Sequence, residues 1–141
     1  MVLVSLRCLV VAALMLVCLS CSSSEDINIA RAAVAHFHQQ LNAGLPDEIY
    51  RNAAEEYQAA ASSELNRELI EAVRRKMGNA AQFQVTGWRL NYLTSGRSLA
   101  LQCRTAFAHG DAVESFEWRI QGNKALLLGW NINSPLLVAT N

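Results

Sequence analysis

The chain has 141 residues, 12 Lys+Arg against 12 Asp+Glu, and a hydrophobic fraction of 52%. That is the size of one domain. A net charge of zero leaves no basic surplus of the kind that attracts nucleic acid, and no nucleotide, metal or catalytic motif stands out, so no cofactor is expected.

The first seven residues carry one positive charge, Arg7, and Cys8 to Leu19 is an apolar run. This has the form of a signal-peptide core, too short to span a bilayer as a helix. The following Cys18-Leu19-Ser20-Cys21 resembles a bacterial lipoprotein signal, in which a small residue precedes the cysteine that is lipidated and becomes the mature N-terminus. Ser20 and Cys21 fit; Cys18 stands where Leu is usual. The resemblance implies a leader over 1–20, lipid on Cys21 and a tether over 21–24. It also implies attachment to a membrane of the cell envelope facing the periplasm or exterior, the outer one where the cell has one. The alternatives are an ordinary signal peptide cleaved nearby or an uncleaved anchor. Cys8 and Cys18 leave with the leader, so Cys103 is expected to be a lone thiol acting as a small hydrophobe between Trp88 and Trp118.

Ser22 and Glu25 have capping-box spacing. The first helix is expected over 25–43, with Ile27, Ala30, Val34, Phe37 and Leu41 forming one apolar stripe and Gly44 ending it. Pro46 opens a second over 46–61, where Ile49 or Tyr50, Ala53, Tyr57 and Ala61 face inward. Ser62-Ser63 caps a third over 63–77, with Leu65, Leu69, Val73 and Met77 inward and Gly78 closing it. Arg74, Arg75 and Lys76 suit a solvated last turn.

The remainder, residues 25–141 being one domain, reads as four strands over 81–94, 97–109, 112–121 and 125–133. Side chains alternate faces along a strand. One face should hold Trp88, Leu90 and Tyr92, then Leu99 to Phe107 at every second residue, then Phe116, Trp118 and Ile120, then Leu126, Leu128, Trp130 and Ile132. Two-residue loops at Ser95-Gly96 and Gly110-Asp111 pair Tyr92 with Leu99 and Cys103 with Trp118. An odd-length third loop is needed to set Trp118 opposite Leu128 and Phe116 opposite Trp130. Phe83 and Val85 have the opposite parity to Trp88, which calls for a β-bulge at Thr86-Gly87.

Three helices packed on one face of a curved four-stranded antiparallel meander make an α+β plan. With the bent first strand and the closing Leu128-Gly129-Trp130-Asn131-Ile132, this resembles the nuclear transport factor 2-like fold, in particular small secreted or lipid-anchored bacterial domains with that fold. Enzymes of that superfamily place carboxylates, Tyr or His between helices and sheet. Here the inner face of the sheet offers only Thr105 and Glu114, the latter near the sheet's end opposite Phe107 and Ile132; Tyr50, Tyr57 and His38 could point inward from the helices, and no paired carboxylates and no His–Asp couple appear. His36 and His38 diverge on a helix and make a poor metal pair. The leading expectation is therefore a non-catalytic, membrane-tethered domain that binds or scaffolds an envelope protein. Arg104, Glu117 and Arg119 are its candidate interaction residues on the outer face, with Arg104 opposite Glu117 and Gln102 opposite Arg119. The alternative is a carrier or sensor of a small apolar ligand, in a space lined by Tyr50, Tyr57, Trp88, Trp118 and Trp130. An acid–base enzyme is disfavoured.

Overall fold

The computed structural model describes the backbone of residues 2–138 and the side chains of residues 23–138. Helices α1 (Val2–Ala43), α2 (Pro46–Arg51), α3 (Glu55–Ala60) and α4 (Ser63–Met77) precede strands β1 (Ala80–Leu93), β2 (Gly96–Phe107), β3 (Gly110–Gln121) and β4 (Lys124–Asn133), and α5 (Pro135–Val138) closes the chain. The strands form one antiparallel sheet in the order β1-β2-β3-β4. An α+β meander is what the alternating pattern dictates.

Helix α1 crosses the sheet and touches all four strands. Its buried stripe is Ala30, Val34, Phe37 and Leu41, packed on Leu99, Leu101, Phe116 and Trp118. At its C-terminal end Asn42 clamps the start of β1: its amide donates to the Ala80 carbonyl and its oxygen accepts from the Ala80 N–H, both at 2.8 Å. The helix passes through Ser22–Glu25 without a break, so no capping box starts it there.

The expected second helix is two. It breaks at Asn52-Ala53-Ala54, where the Ala54 N–H turns away to donate to the Leu127 carbonyl of β4 at 2.9 Å. A backbone donor spent on the sheet cannot continue an α-helical ladder. Helix α4 begins at the Ser62 cap as expected, but its inward stripe is Asn66, Ile70, Val73 and Met77, and Leu65 and Leu69 are exposed. The stripe is displaced because Asn66 can be buried: its amide donates to the Pro46 carbonyl at 2.9 Å and its oxygen accepts from the Tyr57 hydroxyl at 2.9 Å. Arg74 leaves the expected solvated set and reaches the Asn42 carbonyl at the end of α1.

Face parity holds in β1, β2 and β3 and for Trp130 and Ile132, but in the first half of β4 Ala125 and Leu127 face inward in place of the expected Leu126 and Leu128; the register differs as well. The first two-residue loop is Thr94-Ser95, so Tyr92 faces Arg97, Leu90 faces Leu99 and Trp88 faces Leu101. The second is Ala108-His109, which sets Cys103 opposite Glu114 and Leu101 opposite Phe116. That turn is fixed from outside the sheet: Ala108 N–H donates to the Asn79 carbonyl and His109 N–H to the Met77 carbonyl, each at 2.9 Å. Gly78, at φ +74, lets the chain pass, since a Cβ there would lie 2.8 Å from that of Ala108. The third loop is the two-residue Gly122-Asn123, not an odd one. The parity change occurs instead at a bulge at Leu128, which leaves Trp118 opposite Leu127 and Phe116 opposite Trp130. The bulge expected at Thr86 is present, between the Val85 and Gly87 pairs.

Trp118 is 4% exposed and stacks on Phe116 with ring centroids 5.7 Å apart, whereas Trp88 is 53% exposed. Urea unfolding should show a loss of ~3–5 kcal/mol for Trp118→Ala and less than ~1 kcal/mol for Trp88→Ala. Equal losses at the two positions would contradict this packing.

Candidate functional site

Glu114 is 0% exposed in the middle of β3. Its Oε2 accepts from His38 Nε2 at 2.8 Å and from the Thr105 hydroxyl at 2.5 Å. Its Oε1 accepts from the Trp130 indole Nε1–H at 3.0 Å. An indole N–H only donates, so Oε1 is the acceptor of that bond. The donors come from α1, β2 and β4.

No paired carboxylates and no His–Asp couple appear in the sequence; the structure makes a His–Glu couple instead. His36 is exposed and His38 buried, so they diverge along the helix, and it is His38 that meets Glu114. In the expected register Glu114 lies opposite Phe107, near the sheet's end. In the observed one it lies opposite Cys103, four residues deeper, with Ile132 on its other side as expected. The missing signal is the turn at Ala108-His109, which depends on α4 rather than on local sequence. Phe83, Phe107 and Phe116 close around the His38 ring in edge-on contacts, at 5.4, 6.2 and 5.9 Å between centroids.

The aromatic residues expected around a ligand space are dispersed. Tyr50 and Tyr57 stitch the helices to one another: the Tyr50 hydroxyl donates to the Gln58 and Ala61 carbonyls at 3.0 Å, and Tyr57 donates to Asn66. Burial, and secondarily Tyr50, pushes the Tyr57 hydroxyl pKa up. Trp130 packs on Phe37 at 4.9 Å and Trp118 on Phe116, while Trp88 stands half in solvent. The space among Phe37, Ile49, Trp118 and Leu127 amounts to about 70 Å³. A water occupies ~30 Å³ of the liquid and ligand pockets run ~300–1,000 Å³, so this is water-sized.

The outer face of the sheet is open. A groove of about 630 Å³ crosses all four strands, lined by Gly87, Arg89, Gln102, Ser115, Glu117 and Asn131 among others. Gly87 and Gly129 at its two flanks and Ala100 and Ser115 between them keep its floor low. The expected outer pairs are corrected by the register: Arg104 faces Val113, Gln102 faces Ser115, and Glu117 faces Ala100. Glu117 accepts from the Ser98 hydroxyl at 3.1 Å. Arg119 pairs with the Glu56 carboxylate of α3 and so stands outside the groove. Arg104 is exposed.

Cys103 is buried, opposite Val85 and Glu114 rather than between Trp88 and Trp118. Burial, reinforced by the charge of Glu114, pushes its thiol pKa up to about 12. Cys21 lies outside the residues whose side chains are described. Among the described residues no group of three or more His, Cys, Asp or Glu side chains is arranged to hold a metal ion. A scan against protein-family models gives no match, and neither does a search of curated proteins.

Two outcomes follow from these environments. Glu114→Ala would strand three buried donors and should cost ~3–5 kcal/mol in urea unfolding, against ~1–2 kcal/mol for Thr105→Val, which removes one donor. Equal, small losses would mean that the network contributes nothing. At pH 8 a thiol of pKa about 12 is ionised in only ~1 molecule in 10⁴, so Cys103 should resist alkylation, located by peptide mass spectrometry, until urea unfolds the chain.

Proposed function

We propose that the chain is a non-catalytic domain of a bacterial envelope lipoprotein, held on a membrane by lipid on Cys21, which binds a protein partner on the outer face of its sheet. The observation that carries this reading is the contrast between the two faces. On the helix side the space between α1 and the sheet is about 70 Å³, and a shallow depression of about 790 Å³ lies open between α1 and the β3–β4 turn; the outer groove is about 630 Å³ and carries Arg89, Gln102, Glu117 and Asn131 across all four strands. Polar and charged groups across an open trough suit an extended segment or loop of a protein. The carrier reading needs an interior of ~300 Å³ or more, and the acid–base reading needs a group with a free lone pair or proton at a substrate. Glu114 is fully buried, and its carboxyl group is held by three partners within the protein. The order of elements and the bulged first strand support a nuclear transport factor 2-like arrangement for the domain.

Two measurements test this reading. Cys21→Ala should abolish fatty-acid labelling and detergent-phase partitioning; label retained by the variant would sink the tether. A photo-crosslinker at Gln102 should capture a defined envelope protein, and Ser115→Arg, which fills the groove floor, should abolish that adduct without shifting the unfolding midpoint. An adduct indifferent to Ser115→Arg would place the partner elsewhere.

A further inference from the structure

The edge strand β1 leaves a strip of large apolar side chains in water. Trp88 is 53%, Tyr92 78% and Leu93 48% exposed. Trp88 and Tyr92 share the inner face with Leu90, but α1 does not cover them at this edge. Tyr92 and Leu93 are the last residues before the β1–β2 turn, facing Arg97 and Gly96.

The helix that leads to Cys21 enters the domain at this same end. Asp26 of α1 is 3.4 Å from Arg97, the cross-strand neighbour of Tyr92. The β3–β4 turn belongs to this end too, and Glu25 and Asn28 of α1 share a surface depression with Asn123 and Lys124. From Asp26 back to Cys21 the helix rises ~7 Å at 1.5 Å per residue. From Arg97 to the turn at Ser95 the strand advances ~7 Å at 3.3 Å per residue. The lipidated position and the hairpin tip therefore extend past the Asp26–Arg97 contact by similar lengths of chain. Because α1 runs through residues 22–24 as helix, no flexible spacer separates them.

We infer that the β1–β2 hairpin tip is a second membrane contact, with Tyr92 and Leu93 inserted at the bilayer interface beside the lipid on Cys21. This rests on the proposed tether. An aromatic ring with a polar tip sits favourably at headgroup level, and a shallow apolar insertion reinforces a lipid anchor that would otherwise leave the domain free to swivel. Trp88 lies ~13 Å back along the strand, at the outer edge of the contact. Arg97 is matched by Asp26, and without the leader's Arg7 the lipidated chain has 11 Lys+Arg against 12 Asp+Glu, so the contact is apolar and does not depend on anionic lipid. The groove on the other face of the sheet is left turned to the side, where a partner can reach it.

The test uses the full-length lipidated protein in phosphatidylcholine vesicles whose acyl chains carry bromine, a contact quencher of indole. In Tyr92→Trp, the added emission should be quenched strongly and that of Trp88 weakly, with no change on raising salt. Leu93→Asp in that background should cut the quenching several-fold without altering flotation or the unfolding midpoint. Protein that floats with the added indole unquenched overturns the hairpin contact and leaves the tether standing. Protein that fails to float overturns both. Copies joined through an engineered Tyr92→Cys disulfide, in place of quenching, would overturn it in favour of self-association.

Discussion

Moving a carboxylate from water into a protein core costs several kcal/mol unless hydrogen-bond donors replace the water it gives up. Glu114 has its donors on three separate elements: His38 on α1, Thr105 on β2 and Trp130 on β4. That requirement reaches well beyond the carboxylate. It fixes the height of α1 on the sheet, because only one turn of the helix presents His38. It fixes the β2–β3 register, because Thr105 must lie diagonally across from Glu114. It also fixes the rotamer of Trp130, whose ring then packs on Phe37. Apolar packing alone tolerates slippage of a helix along a sheet; a buried polar group with three partners does not.

The same device recurs at smaller cost elsewhere. Asn42 holds the end of α1 to the start of β1, Asn66 joins α2, α3 and α4, and Ala54 gives its backbone N–H to β4. Each sets one element against another by directional bonds, while the aromatic and aliphatic side chains around it fill the volume. The interior closes as a result, and the open surface is transferred to the other side of the sheet, where Gly87, Ser115 and Gly129 lie.

Much of this is legible in the sequence, and the remainder is hidden for identifiable reasons. Period two along β1, β2 and β3 gives each residue's face, and the parity conflict around Thr86 gives its bulge, because both are local consequences of the backbone; in β4 it picks Leu126 and Leu128 where Ala125 and Leu127 face inward. Register is not local. The Ala108-His109 turn is held by carbonyls of Met77 and Asn79 at the end of α4, so the Gly110-Asp111 preference for a tight turn is overridden. The parity change in β4 is visible in the sequence, which points to the loop for it, but the chain makes it at Leu128. In α4, counting only apolar residues favours Leu65 and Leu69 over Asn66 and Ile70. The His38–Glu114 pair escapes because the expected register puts Glu114 at the rim, four residues from its observed place opposite Cys103.

A buried His–Glu pair between a helix and an antiparallel sheet invites an acid–base reading, and the geometry bears on it directly. A general base must be within ~2.6–3.2 Å of the proton it removes and have a lone pair aimed at it. Both oxygens of Glu114 are already bonded within the protein, and Phe83, Phe107 and Phe116 surround the His38 ring. His38 and Glu114 are both buried, at 6% and 0% exposure. The strand's own alternation offers a different use for that rigidity. Glu114 and Phe116 point inward while Ser115 and Glu117, their neighbours along β3, line the groove. Whatever locks the first pair in place also holds the second, so the groove is preshaped, and a partner of the kind proposed would lose less ordering entropy on binding it.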